Sequence, residues 1–246
     1  MNRIVDYLEL KNRIVKWIKG YADTNNIQSL VVGVSGGIDS AVVSTLCAET
    51  KLPTFVLGMP IHQDSEQESL SDNHMDWLSE KNDNVKKLKF DLTRTFETFK
   101  KTLNEYSHDE LSLANTRSRL RMVTLYQIAG KYNGIVVGTG NKVEDYGVGF
   151  YTKYGDGGVD IAPIADLYKT EVRELGGYLG VADAIIDATP TDGLWDDKRT
   201  DEDQLGVSYA LLEEAMESGT GRGVDTLYRF NKANQHKMQP IPTFKL

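Results

Sequence analysis

The clearest chemical pattern in the sequence is a short run of glycine and hydroxyl residues, Ser35-Gly36-Gly37-Ile38-Asp39-Ser40, here called the phosphate loop. Glycines permit positive φ angles and bring the backbone close to a ligand, and free N–H groups at a helix start bind anions. The two serine hydroxyls add donors for phosphate oxygens. The Asp39 carboxylate would repel phosphate, and a Mg²⁺ ion between the two removes that conflict. The run therefore predicts a phosphate site that works with magnesium.

A plain tight turn, with Ser35 and Asp39 capping the following helix, is the competing interpretation of the phosphate loop. Two commoner nucleotide motifs are absent from the sequence. No G-x-x-x-x-G-K-[ST] pattern occurs, so the loop is not a Walker loop. No strand is followed by G-x-G-x-x-G, which argues against a hydride-transferring dinucleotide site.

Further polar residues with chemical potential lie later in the chain. Residues 115–122 carry arginines at positions 117, 119 and 121. On a helix, the first and third of these share a face, and the second points elsewhere. Residues 139–144 and 150–158 combine threonine, lysine, carboxylate and glycine without apolar periodicity, which predicts loops.

Alternating strands and helices must position these groups. Short apolar runs predict five strands, at 30–34, 54–57, 85–90, 134–138 and 161–164. Helical spacing separates them, so the fold class is α/β: a Rossmann-like, doubly wound, mostly parallel five-stranded sheet with helices on both faces. Ligands bind at the carboxyl ends of such strands, near a switch in strand order. We therefore expect the phosphate loop and residues 139–144 to meet there.

Length and composition limit the class of protein. The 246 residues fit one large α/β domain, taken as residues 1–246. The net charge of −8, from 28 basic and 36 acidic residues, argues against a nucleic-acid or anionic-membrane partner. The single cysteine, Cys47, excludes an internal disulfide or a Cys-x-x-Cys site. Without a signal peptide or a membrane-spanning apolar run, we expect a cytoplasmic protein.

The phosphate loop resembles the pyrophosphate loop of the N-type ATP pyrophosphatases, enzymes that cleave ATP between its α and β phosphates. An ordered set of later segments is similar to the NAD synthetases: Asn115-Thr116-Arg117-Ser118-Arg119, Gly138-Thr139-Gly140-Asn141-Lys142-Val143-Glu144, Thr152-Lys153-Tyr154-Gly155-Asp156-Gly157 and Thr200-Asp201-Glu202-Asp203-Gln204-Leu205-Gly206. The resemblance implies an adenine nucleotide alpha hydrolase-like fold and an ammonia-dependent ligase. ATP would adenylate nicotinic acid adenine dinucleotide (deamido-NAD), and ammonia would displace AMP to give NAD.

The resemblance also implies roles for individual residues. ATP would be held by Gly33, Val34, Ser35, Gly36, Gly37, Ile38, Asp39, Ser40, Thr139, Lys169 and Thr191. Mg²⁺ would be bound by Asp39 and Glu144, and these two with Lys169 would be the catalytic residues. The dinucleotide acid would be bound by Arg119, Lys153, Asp160, His236 and Lys237, with Asp160 either recognising a ribose hydroxyl or orienting other groups. A homodimer is implied, with the dinucleotide at the subunit boundary.

The sequence departs from the common family pattern in two places. Ser118 stands where alanine is common, and Lys237-Met238 stands where a Lys-Arg pair is common. The second departure removes one cation and weakens the roles implied for His236 and Lys237. The chain also lacks the length and the nucleophilic cysteine of a glutaminase domain. Free ammonia, or ammonia from a separate protein, is therefore the expected nitrogen source.

Each implied ligand also has a purely structural interpretation. Thr139 could cap a helix, Glu144 could be a solvated carboxylate, and the arginines at 117–121 could form a solvated helix face. Lys169 could satisfy the first turn of its own helix, although cations are disfavoured there. An RNA-modifying enzyme and a non-catalytic nucleotide sensor are the alternative functions. The acidic charge and lone cysteine argue against the first, and the presence of Asp39 and Glu144 argues against the second.

Overall fold

A four-stranded parallel sheet organises this computed structural model, which describes residues 3–4, 6–107, 109–191, 193–194 and 200–245. The strands are β1 (Ser29–Gly33), β2 (Thr54–Gly58), β3 (Val85–Lys89) and β4 (Gly134–Val136). Their spatial order is β3-β2-β1-β4, and β1–β2, β1–β4 and β2–β3 all pair in parallel. The α/β class predicted from the alternating pattern is therefore confirmed.

Helices connect and follow the strands. They are α1 (Tyr7–Thr24), α2 (Ile38–Glu49), α3 (Ser65–Lys81), α4 (Thr93–Leu103), α5 (Glu110–Lys131), α6 (Lys169–Leu179), α7 (Asp183–Ile186), α8 (Asp201–Leu205), α9 (Tyr209–Ser218) and α10 (Val224–Met238). A 3₁₀ turn (Asn104–Tyr106) and a π-helix (Lys142–Val148) complete the helical elements of the described residues. Within these described parts, no helix combines the length and apolarity needed to cross a membrane.

The predicted fifth strand at 161–164 is wrong. Only Ile161 pairs with the sheet, through one parallel bridge to Val137. Pro163 has no N–H to offer a ladder, and the chain turns at once. Ala165 N–H bonds the carbonyl three residues earlier, and Leu167 N–H does the same at 2.9 Å. The sheet formed by the described residues therefore has four strands rather than five.

Helices cover both faces of the sheet. On one face, Leu30 and Val32 of β1 pack in a core with residues of α1, α2 and α6. On the other face, Val31 packs with Phe55 of β2 and Ala129 of α5. Successive strand side chains point to opposite faces, so an uninterrupted apolar run supplies both cores. The continuous apolar signal of β1 thus reflects burial on two sides.

The strand order sets where a ligand can bind. The chain runs from β1 through β2 to β3 in one direction, and β4 lies on the opposite side of β1. Crevices form at such a switch point, outside the carboxyl ends of the strands. The segments that follow β1 and β4 therefore lie side by side at this edge.

Candidate active site

A cavity of about 1150 Å³ opens at the carboxyl ends of β1 and β4. Its lining includes every residue that was predicted to hold ATP and both predicted metal ligands: Gly33, Val34, Ser35, Gly36, Gly37, Ile38, Asp39, Ser40, Thr139, Glu144, Lys169 and Thr191. The tertiary structure thus brings these separate sequence segments to one cavity. The meeting of the phosphate loop with residues 139–144, expected from the fold class, is confirmed.

The phosphate loop turns sharply between β1 and α2. Gly36 has a φ of +91°, and a Cβ there would lie 2.5 Å from the Gln67 carbonyl oxygen, closer than real Cβ atoms approach. Gly37 is the N-cap of α2, and no side chain caps this helix end. The interpretation of Ser35 and Asp39 as helix caps is therefore wrong. The positive end of α2 borders the cavity, as an anion site requires.

Hydrogen bonds brace the phosphate loop. Ser40 Oγ donates to the Gly37 carbonyl at 2.9 Å, and Ser35 N–H donates to Ser40 Oγ at 3.2 Å. From α3, Ser71 Oγ donates to the Val34 carbonyl at 2.7 Å. These contacts hold the loop in shape, which lowers the entropy lost when a ligand binds.

Lys169, the first residue of α6, lies between two carboxylates. Its Nζ donates to Asp39 Oδ2 at 2.5 Å and to Glu144 Oε1 at 2.9 Å. Asn141 Nδ2 donates to the other Asp39 oxygen at 3.1 Å. The Lys169 side chain is 5% exposed, and the two carboxylate side chains are 14% and 16% exposed. A buried cation needs such partners, so this lysine serves the cluster rather than its own helix turn.

The charges in this cluster depend on one another. Burial alone would lower the pKa of Lys169, but attraction by Asp39 and Glu144 raises it, so the ammonium stays charged. Burial also raises the pKa of Glu144, but attraction by Lys169 together with hydrogen bonds from Tyr209 and Lys169 leaves the pKa below its usual value. For Asp39, burial outweighs attraction by Lys169, and Glu144 adds repulsion, so its pKa is raised. One cation is thus shared by two carboxylates.

Glu144 and Asp145 lie on the π-helix and both line the cavity. Asn141 Oδ1 caps this helix by accepting from the N–H groups of Val143 at 3.0 Å and Glu144 at 3.1 Å. Burial, then repulsion by Glu144 and Asp156, raises the pKa of Asp145 to about 8. The sequence predicted a loop here, because a π-helix has no distinctive apolar period; such turns often occur at functional sites.

Tyr209, the first residue of α9, is a site residue that the sequence pattern did not indicate. Its hydroxyl donates to Glu144 Oε1 at 2.6 Å and lies 3.1 Å from Asp201 Oδ2. The ring centroid is 5.0 Å from Lys169 Nζ. Burial, followed by repulsion from Glu144 and Asp201, raises the pKa of Tyr209, so the hydroxyl remains a donor. Locally this tyrosine only starts a helix, so packing alone identifies it.

The three arginines of α5 fall into the two groups that their helical spacing predicts. Arg117 and Arg121 have partners near the cavity, and Arg119 contacts Lys153 instead. Arg121 lines the cavity; its Nε donates to the Met59 carbonyl at 3.0 Å, and its Nη2 donates to Gln63 Oε1 at 3.0 Å. Arg117 is buried, and its Nη1 donates to the Leu194 carbonyl. The solvated-face interpretation therefore does not describe these two residues.

The five residues predicted to bind the dinucleotide acid are not among the described residues that line the cavity. Four of them meet where α5, residues 149–153 and α10 pack together. Lys153 Nζ donates to the His236 carbonyl at 3.2 Å, and Arg119 Nη2 donates to the Lys153 carbonyl at 3.3 Å. Lys237 Nζ donates to two backbone carbonyls of the 149–153 segment, at 2.6 and 2.8 Å. These four residues form a cluster, here called the cationic cluster after its three Lys and Arg side chains; His236 joins it through its backbone carbonyl.

Asp160 lies apart from this cationic cluster. Its Oδ2 accepts from Val136 N–H at 2.7 Å, and its Oδ1 accepts from the Tyr126 hydroxyl at 3.1 Å. Its own N–H donates to the Val136 carbonyl at 2.9 Å. These contacts with β4 and α5 favour the orienting role over hydroxyl recognition.

A parallel α/β sheet with a glycine-rich anion loop at its switch point defines a Rossmann-like, nucleotide-binding protein. Within that class, the chain belongs to the NAD synthase family, whose model matches residues 10–242. The resemblance drawn from the sequence is confirmed.

Known proteins resemble the chain over nearly its full length. An NH(3)-dependent NAD(+) synthetase from Carboxydothermus hydrogenoformans is 37% identical, covering 95% of this chain and 96% of the relative. The structure of an NMN synthetase from Francisella tularensis matches with a TM-score of 0.89 and 32% identity, covering 99% and 100% of the two chains. An NH3-dependent NAD synthetase from Campylobacter jejuni, solved with nitrate, matches with a TM-score of 0.79 and 25% identity, covering 98% and 100%.

Proposed function

We propose that this chain catalyses the last step of NAD biosynthesis, the ATP-dependent amidation of deamido-NAD with ammonia. The observation that carries the proposal is the single cavity wall on which the phosphate loop, Asp39, Glu144 and Lys169 meet. Membership of the NAD synthase family and a relative named NH(3)-dependent NAD(+) synthetase support the same reaction. The products are NAD, AMP and pyrophosphate.

ATP is the co-substrate, and its phosphates fit the phosphate loop. The loop offers backbone N–H groups and the positive end of α2, and both stabilise phosphate charge. The hydroxyls of Ser35, Ser40, Thr139 and Thr191 border the same cavity and can donate to phosphate or sugar oxygens. Because the loop is already braced, it can hold the pyrophosphate before and after the bond between the α and β phosphates breaks.

The chemistry explains why ATP is consumed. A carboxylate reacts poorly with ammonia because its oxygen is a poor leaving group. In the proposed reaction, a carboxylate oxygen of deamido-NAD attacks the α-phosphorus of ATP, the bond to the β-phosphate oxygen breaks, and pyrophosphate leaves. Ammonia then attacks the acyl carbon, AMP leaves with the carboxylate oxygen, and the nitrogen loses a proton. The protein's part is to position the reactants and to neutralise phosphate charge.

Lys169 supplies a fixed positive charge for this step. Asp39 and Glu144 hold its ammonium at the cavity wall, where it can offset charge that develops on the transferred phosphate. Asn141 and Tyr209 in turn orient the two carboxylates. A cation held in place in advance costs no reorganisation during the reaction.

Asp39 and Glu144 are also the residues that would hold Mg²⁺. Carboxylate oxygens are the protein ligands this ion prefers. Among the described residues, no group of three or more His, Cys, Asp or Glu could hold a metal. A two-carboxylate site fits Mg²⁺, which keeps several waters and takes substrate phosphates as its remaining ligands. When bound, Mg²⁺ would neutralise phosphate oxygens and reconcile them with the Asp39 carboxylate.

The cationic cluster of Arg119, Lys153, His236 and Lys237 would receive the acid substrate, with Asp160 orienting the neighbouring strand. In the free protein, Lys153, Arg119 and Lys237 donate to neutral backbone carbonyls. Phosphate oxygens are stronger acceptors for ammonium and guanidinium groups. Substrate phosphates can therefore replace these carbonyls as the hydrogen-bond acceptors of the three side chains.

A second candidate substrate is the corresponding mononucleotide acid. The Francisella tularensis structure, which is named as an NMN synthetase, matches this fold with the higher TM-score, 0.89 against 0.79 for the Campylobacter jejuni enzyme. NMN is a mononucleotide amide, so making it by amidation would start from nicotinic acid mononucleotide. Both acids carry the same reacting carboxylate, so the same cavity wall can serve either.

The assembly we propose is a cytoplasmic homodimer that uses free ammonia. Large apolar side chains on two helices offer surface for a second copy: Val123 of α5 is 58% exposed, and Tyr228 of α10 is 66% exposed. Sedimentation equilibrium tests the dimer, and a monomer at micromolar concentration would count against it. Replacing ammonium by glutamine in the assay tests the nitrogen source, and equal turnover with glutamine would overturn it.

The decisive experiment offers the purified protein ATP, Mg²⁺ and ammonium with each acid in turn. Mass spectrometry of the amide, AMP and pyrophosphate gives the stoichiometry, and initial rates give kcat/KM for each acid. We expect equal amounts of the three products and the higher kcat/KM for deamido-NAD. A higher kcat/KM for the mononucleotide acid would establish the second candidate. Failure to release AMP with either acid would refute both.

A further inference from the structure

Arg3, which precedes α1 in the sequence, lies against the start of α6, the helix that carries Lys169. Arg3 makes a forked contact with Glu171: Nε donates to Oε1 and Nη2 donates to Oε2, both at 2.9 Å. Its Nη2 also donates to the Asp166 carbonyl at 2.6 Å. The guanidinium carbon lies 4.4 Å from the Tyr168 ring centroid. One side chain from the start of the sequence therefore spans the turn that leads into α6.

Glu171 transmits this contact to the helix start. Tyr168 is the N-cap of α6, and its N–H donates to Glu171 Oε2 at 2.8 Å. The same carboxylate therefore closes the first turn of α6 and anchors Arg3. Lys169 lies inside this closed turn, so its backbone moves only if the turn moves.

Lys169 needs such support because it occupies an unfavourable position. The positive end of a helix repels an ammonium group in the first turn. The Lys169 side chain is nevertheless 5% exposed and directed at Asp39 and Glu144. The Glu171 carboxylate brings compensating negative charge to this turn, and a forked arginine fixes the orientation of that carboxylate. A lysine ammonium, which is a point charge on a flexible side chain, would not fix the orientation of the Glu171 carboxylate in the same way.

We propose that Arg3 is a positioning residue for the reaction. Through Glu171 it holds the first turn of α6, and so keeps the Lys169 ammonium between the two carboxylates. The inference rests on the role proposed above for Lys169. It assigns a part in catalysis to a side chain that lies outside the cavity and 168 residues before Glu171 in the sequence.

The test compares Arg3→Ala and Arg3→Lys with Lys11→Ala as a matched control. Lys11 also belongs to the N-terminal region and forms an ion pair, with Nζ 3.7 Å from Glu49 Oε2, but this pair reaches the far end of α2. We expect Arg3→Ala to lower kcat about tenfold with KM for ATP changed less than about twofold, because misplacing a group slows chemistry more than binding. Lys11→Ala keeps the wild-type kcat. A lower melting temperature with unchanged kcat in Arg3→Ala would overturn the proposal.

Chemical rescue separates positioning from general loss of structure. Added guanidinium ion can occupy the space left in Arg3→Ala and restore the contact with Glu171, so kcat should recover, while Lys11→Ala should show no gain. Absence of recovery would overturn the proposal. If Arg3→Ala does not fold, Arg3→Lys decides: it keeps the charge and loses the fork, so a wild-type kcat in that variant would also overturn it.

Lys169→Met distinguishes failure of this inference from failure of the proposed site. If Lys169→Met turns over like the wild type, the role of Lys169 itself is wrong. If Lys169→Met is inactive while both Arg3 variants keep the wild-type kcat, only the positioning role of Arg3 is wrong.

Discussion

The Tyr209 hydroxyl and Lys169 Nζ both donate to Oε1 of Glu144, at 2.6 and 2.9 Å. Tyr209 opens α9, Lys169 opens α6, and Glu144 lies on the π-helix. The position of this one carboxylate oxygen therefore depends on how α6, α9 and the π-helix pack together. Because a charge-assisted hydrogen bond is short and directional, a shift of any of these elements changes the orientation of Glu144.

Replacing Tyr209 by phenylalanine should impair catalysis more than folding. The variant Tyr209→Phe keeps the ring against Lys169 and removes the hydroxyl that contacts Glu144 and Asp201, so we expect kcat to fall about tenfold and unfolding free energy to fall by about 1–2 kcal/mol. The apparent affinity for Mg²⁺ should also fall, since Glu144 is a proposed ligand. Steady-state rates over a magnesium titration check this. The control is Tyr106→Phe, on a residue that is 79% exposed; an equal kcat in the two variants would contradict the role.

Removing the buried cation should have a larger effect. Lys169→Met leaves Asp39 and Glu144 facing each other without their shared ammonium, so we expect kcat to fall by roughly 10²–10³-fold. Rapid-quench measurement of AMP formation locates the loss in the adenylation step. The matched control is Lys100→Met, whose lysine is 33% exposed with Nζ 3.6 Å from Glu97. Such a surface pair contributes little, so the control should retain the wild-type rate.

A methyl group on the phosphate loop should weaken ATP binding. Gly36→Ala places a Cβ 2.5 Å from a backbone carbonyl and strains a φ of +91°, so the loop must shift at a cost of about 1–3 kcal/mol. Calorimetric titration with ATP should show the weaker affinity. Gly20→Ala is the control, because a Cβ there meets nothing within 4 Å in α1. It should leave ATP binding unchanged and stabilise the fold by about 0.5–1 kcal/mol. Wild-type affinity in Gly36→Ala would contradict the assigned site.

A buried histidine should make the fold sensitive to acid. His74 is 3% exposed, its Nε2 lies 2.9 Å from Ser44 Oγ, and burial lowers its pKa from 6.5 to about 4. Between these values the unfolded chain binds the proton and the folded chain does not, so this stability is present above pH 6.5 and is lost as pH falls towards 4. The loss amounts to about 3 kcal/mol over that window.

Urea unfolding at several pH values measures this effect in the wild type and in His74→Gln. The difference in unfolding free energy between the two proteins should shrink as pH falls, because the variant has no histidine to protonate. Parallel pH profiles for the wild type and His74→Gln would show that other groups control acid stability.

Prediction from local pattern worked where a few consecutive residues decide the outcome. The phosphate loop was recognisable because its conformation depends on glycines next to hydroxyls at one strand–helix junction. Lys169 stood out as a cation at a helix N-terminus, a local misfit that its buried partners resolve. The predicted strand at 161–164 failed because apolar residues suggested a ladder that Pro163 and the turn after it prevent.

Features that depend on distant contacts could not be predicted in this way. Tyr209, the π-helix around Glu144, and the contact of Arg3 with Glu171 have no local signature, since each is defined by a partner far along the chain. Consecutive residues therefore determined the family and the α/β class, and they predicted the phosphate chemistry. The arrangement of charges around Lys169 came from packing, because burial and the distance between opposite charges arise only when remote segments share one low-dielectric space.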